Sequence, residues 1–109
     1  MAQKEAIVVV QPTKSENLRQ TPIQEVARRV VKDLQSRTGI RNVVCRTTDP
    51  KANVALLSIT VERPAVLKRL AGNGVTAVHH EVTERTIASI SRSYGITIAE
   101  SALSWISGQ

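Results

Sequence analysis

His79, His80 and Glu81 stand in a row, and two imidazoles beside a carboxylate are ligand types that hold zinc. Their spacing works against it. Neighbouring side chains on a strand point to opposite faces, and on a helix they diverge. His79 and Glu81 could share a strand face, but two ligands do not close a zinc site, and Cys45 is the one other soft donor in the chain. Cys45 lies between Val44 and Arg46 in a β-branched run, where a small side chain packs. No serine sits in a G-x-S-x-G turn. The acids are scattered, and no pair is spaced for general acid–base work. Gly72-Asn73-Gly74 lacks the lysine and the strand-to-helix setting of a phosphate loop. The expectation is a non-enzymatic protein with no metal and no cofactor.

The cations make a better case. The 109-residue chain holds 15 Lys and Arg against 9 Asp and Glu, a net charge of +6, with a pI near 10.3. Residues 1–74 carry 13 of the basic and 6 of the acidic side chains, so the positive field belongs to the first two-thirds. Such a field favours polyanions. Arg28, Arg29 and Lys32 fall opposite the apolar stripe of a helix, Arg41 and Arg46 on a strand, and Lys68 and Arg69 on a short helix. If those elements share a face, the seven form a phosphate-binding surface. Tyr94 and Trp105 are the only aromatics, so base-stacking platforms on the strands are excluded. Binding to RNA or DNA is therefore expected to rest on phosphates and to be weakly sequence-specific.

These residues need elements to position them. Ala6–Val10 is a continuous apolar run and reads as a buried strand. Gln11–Gln20 reads as a loop. A helix is expected from Thr21 to Thr38, with Thr21 as N-cap, Pro22 at the first position and Gln24 closing a capping box. Ile23, Val26, Ala27, Val30 and Leu34 supply its apolar stripe, and Gly39 its left-handed end. Ile40–Thr48 and Asn53–Glu62 read as an antiparallel hairpin around the turn Asp49–Ala52. In the second arm Ala55, Leu57, Ile59 and Val61 share one face. Arg63–Leu70 reads as a short helix opened by Pro64, Val75–Val82 as a strand and Thr83–Tyr94 as a helix broken by Gly95. The order is β-α-β-β-α-β followed by two C-terminal helices, an α+β fold with a ferredoxin-like antiparallel core. One domain is expected over 1–109: a sheet core over 1–82 and a helical hairpin over 83–109.

The segment from Ile87 onward resembles helix-turn-helix sequences, with Ile90, Ser91 and Tyr94 before the turn at Gly95 and Ile96 and Thr97 after it. The resemblance fails further on. Ser101 and Ser104 occupy positions where that motif buries apolar residues, and Thr97–Gln109 contains no Lys or Arg. The last helix, capped by Thr97 and Glu100, is instead expected to pack through Leu103, Trp105 and Ile106, within the fold or across a subunit boundary. Single-stranded RNA phage coats are similar in size and also end in two helices after a sheet. The helix over Thr21–Thr38 departs from their strand-only N-terminal half.

The sequence thus leads to two expectations. One is a basic module on nucleic acid, as a homo-oligomer. The other is a self-assembling structural subunit of virion-coat type, joined through the C-terminal helices. The longest clean apolar run, Ala6–Val10, is too short to span a bilayer, and the N-terminus has no signal-peptide pattern. A cytoplasmic or virion location without membrane contact is expected.

Overall fold

The computed structural model describes residues 4–70 and 75–98 together with Leu103 and Ile106. It is an α+β fold around a four-stranded antiparallel sheet. In chain order come β1 (Lys4–Val10), α1 (Lys14–Leu18), α2 (Ile23–Gln35), β2 (Ile40–Asp49), β3 (Val54–Val61), a 3-10 helix (Pro64–Arg69), β4 (Val75–His79) and α3 (Glu84–Tyr94). The strands lie in the order β2-β3-β1-β4, and every neighbouring pair is antiparallel.

The two central strands are apolar on both sides because both faces of the sheet are covered. Ala6, Val8 and Val10 of β1 and Ala55, Leu57, Ile59 and Val61 of β3 point one way. They pack against the stripe of α2 and against Leu67 and Leu70 of the 3-10 helix segment. Ile7, Val9, Val54 and Leu56 point the other way, under Ile87 and Ile90 of α3 and under Ile96. Leu103 and Ile106 pack at the margin of this second cluster. The expected alternation of β3 therefore holds, with an apolar cluster on each side.

The stripe of α2 is buried as its spacing requires: Ile23, Val26, Ala27, Val30 and Leu34. Its start differs from expectation. Pro22, not Thr21, is the N-cap, with φ −61 and ψ 143, and no side chain caps the helix. The Pro22 carbonyl accepts from the N–H groups of Glu25 and Val26 at 3.0 and 3.2 Å. Proline serves here because an N-cap gives a carbonyl to the helix and its own N–H is not needed. The helix also ends earlier than expected, at Gln35, with Ser36 as C-cap in a right-handed conformation. Asp33 and Arg37, four residues apart and so neighbours along the helical surface, pair at 3.1 Å. Gly39 does adopt positive φ, at 89°, but it turns the chain into β2 rather than closing the helix. A Cβ there would lie 3.3 Å from Cγ2 of Val66. Gly39→Ala is expected to cost about 1–2 kcal/mol through the left-handed backbone alone, read as a lower urea midpoint with unchanged slope.

Other boundaries also move. The expected loop Gln11–Gln20 contains α1, and the expected short helix is of the 3-10 type. Strand β4 stops at His79 rather than Val82, because Val82 turns inward to join the second cluster. The Thr83 hydroxyl accepts from the Thr86 N–H at 3.1 Å and caps α3. At the other end Gly95 is left-handed, and the Ile96 N–H donates to the Ser91 carbonyl at 3.1 Å. That closure buries Ile96 beside Ile90, the apolar contact that accompanies such ends.

Both outer strands are irregular. Strand β2 breaks register with β3 twice, between Arg41 and Val44 and between Cys45 and Thr47. Asn42, inside the first break, has φ 53°. Strand β4 has five residues and one register shift against β1.

Candidate nucleic-acid interface

The seven cations expected to bind phosphate do not share one face. Arg28, Arg29 and Lys32 are exposed on α2, and Lys68 and Arg69 on the 3-10 helix. Both elements pack on the same side of the sheet through the first cluster. Their C-terminal ends meet, since Arg37 Nη1 donates to the Arg69 carbonyl at 3.4 Å. Five cations therefore stand on one helical layer.

Arg41 and Arg46 are on the other side. Arg41 is paired in register with Thr60 of β3, whose side chain lies on the face of Leu56. Positions 41 and 46 would take opposite faces on a regular strand. The extra residue between Arg41 and Val44 brings both to one face. There Arg41 Nη2 meets Glu62 Oε1 at 3.1 Å, and Arg46 Nε donates to Ser58 Oγ at 2.7 Å. Asn42 Nδ2 donates to Thr60 Oγ1 at 3.3 Å. These bonds answer a need of the sheet. Ser58 and Thr60 are buried hydroxyls on a central strand, and buried polar groups require partners. Next to them Val44 remains 40% exposed, so this corner of the second face is not roofed.

A groove of about 340 Å³ runs between α2 and β2. Ala27 and Val31 line it with apolar surface, and Gln24, Arg28, Cys45 and Thr48 add polar groups. Cys45 is exposed. Partial burial pushes its thiol above the usual range, against a smaller opposing effect of its hydrogen bond to Thr47. A thiol shifted in that direction is less reactive at neutral pH than an ordinary cysteine, though it stays accessible. A second, larger groove of about 500 Å³ lies beside α3, lined by Ile87, Ile96, Ile98, Leu103 and Ile106 among others. Trp105, expected to pack alongside Leu103 and Ile106, lies outside the described residues, as do Ala99, Glu100 and Ala102.

The polar residue that sequence reasoning passed over is Asp49. Its Oδ1 accepts from the N–H groups of Lys51 and Ala52 at 3.0 and 3.1 Å, fixing the hairpin turn. Its Oδ2 accepts from the Thr97 N–H at 3.0 Å, tying the segment after α3 to that turn. The Thr97 bond, then that of Ala52, holds the carboxyl below its ordinary value of 3.8. A depressed carboxyl stabilises the fold above its unfolded pKa, and the benefit fades as pH falls through the folded value. The tie is thus expected to loosen below about pH 4. In Asp49→Asn one oxygen becomes an NH2 that cannot accept from Thr97. The Thr97 amide resonance should titrate in this acid range in the wild type and stay flat in the variant.

Among the described residues no group of three or more His, Cys, Asp and Glu is placed to hold a metal. Among them, too, no helix is long and apolar enough to cross a membrane. His79 sits on the second face, opposite Ile7, and His80 follows in a bend. Comparison with protein-family models, with curated proteins and with solved structures finds no match for this chain.

Proposed function

We propose that this protein is a non-enzymatic module that binds the phosphate backbone of nucleic acid through its helical layer. The observation that carries the reading is the gathering of Arg28, Arg29, Lys32, Lys68 and Arg69 on one side of the sheet, all exposed. Arg41 and Arg46, occupied with Glu62 and Ser58, belong to the sheet's second face and fall outside this surface. The strand order and the crossovers support a ferredoxin-like core whose second crossover helix is reduced to a 3-10 turn. Binding to random-sequence RNA and DNA across a salt series tests the function. Five phosphate contacts give a slope of about −4.5 in log K against log salt on a duplex, so affinity falls about 500-fold from 50 to 200 mM. A flat response, or no binding at the lower salt, removes the reading.

The open apolar groove beside α3 favours a second reading, a self-assembling subunit of virion-coat type that meets its copies through the C-terminal segment. Light scattering with and without RNA tests it. A monomer at high concentration in both cases ends it.

A further inference from the structure

We infer that the groove between α2 and β2 receives an unpaired base, so that the protein prefers single-stranded nucleic acid to duplex. This rests on the phosphate-binding reading and specifies its substrate class. Three observations converge on the groove.

The first is its construction. Cys45 and Thr48 are three apart and would face opposite ways on a regular strand. The second register break in β2, between Cys45 and Thr47, turns both toward α2. Bulges of this kind re-aim side chains next to binding sites. The second is its chemistry. Ala27 and Val31 give apolar contact, while the Gln24 amide and the Thr48 hydroxyl each offer a donor and an acceptor. Neither side chain has a hydrogen-bond partner among the described residues. The third is charge. Arg28 stands in the groove wall, and Lys32 follows one helical turn on, at the spacing that places two side chains side by side.

These features suit an occupant that is polar at its edges, apolar on its faces and carried on a polyanion. A nucleobase meets all three conditions. The volume of about 340 Å³ is at the low end for small-molecule sites, which suits one nucleoside and excludes a helix face. In a duplex the bases are stacked and paired and cannot enter. In a single strand they splay out and present their edges. The groove lacks an aromatic platform, so selectivity comes from edge contacts and from strandedness.

The native thiol reports occupancy, since Cys45 is the chain's one cysteine and lines the groove. The experiment measures maleimide modification of Cys45 with the protein saturated by a single-stranded RNA 12-mer or by the matching duplex. The single strand should slow modification about tenfold or more, and the duplex should leave it unchanged. Gln24→Ala with Thr48→Val removes two edge contacts from exposed or half-exposed positions without touching a cation. Single-strand affinity should fall about tenfold, the equivalent of two ordinary hydrogen bonds, and duplex affinity should hold. Salt-dependent binding to both forms with equal Cys45 reactivity overturns this inference and leaves the phosphate reading standing. Protection without the loss in the double variant overturns it as well. Absence of binding to either form overturns both.

Discussion

Leu57→Ala is expected to lower the unfolding free energy by about 3–5 kcal/mol, a large part of the stability of a domain this size. Leu57 is fully buried on central strand β3, between the sheet and α2. The cavity it leaves is bounded by β-branched neighbours with little rotamer freedom to fill it, among them Val8 and Ile59. Leu56, the preceding residue, is equally buried but belongs to the cluster under α3. Leu56→Ala should cost a similar amount. Urea denaturation of the two variants measures this. A loss below about 1 kcal/mol for Leu57→Ala would show that the helical layer does not seal its side of the sheet.

The second large effect concerns binding. Replacing Arg28, Arg29, Lys32, Lys68 and Arg69 together by Gln should remove the salt-dependent component, flattening the slope by about 4.5 and weakening duplex binding at least 100-fold at low salt. Fold stability should change little, because all five side chains are exposed. The paired control, Arg41→Gln with Arg46→Gln, should leave the slope in place, since both lie on the opposite face. It should instead lower stability, because Ser58 loses a partner beneath the surface. A control that cut affinity as deeply as the five-fold change would move the binding surface to the other side of the sheet.

These contrasts also show what the sequence could carry. The stripe of α2 and the continuous run Ala6–Val10 are local patterns with one physical solution each, and both form as read. The start of α2 is ambiguous in the sequence because Thr21-Pro22 satisfies two capping schemes, and the extended ψ of Pro22 decides between them. Helix α1 left no trace, since its one large apolar residue, Leu18, is 86% exposed and no stripe exists to detect. The face taken by Arg41 and Arg46 depends on where β2 bulges against β3. That register is fixed by a partner strand and by the left-handed Asn42, and no alternation pattern in β2 records it. Five of the seven cations could be grouped from helical spacing and chain order. Separating the other two required the sheet.

The breaks in register at the two outer strands also bear on solubility. Val54–Val61 and Ala6–Val10 combine high β-propensity with no proline and no charge, the pattern of segments that stack into fibrils. In the folded chain they are the inner pair, flanked by β2 with its two bulges and by β4 with five residues and a shift of its own. An incoming strand finds no straight ladder to extend on either flank. Fibril growth from this protein should therefore be limited by global unfolding, so its lag time should shorten in Leu57→Ala.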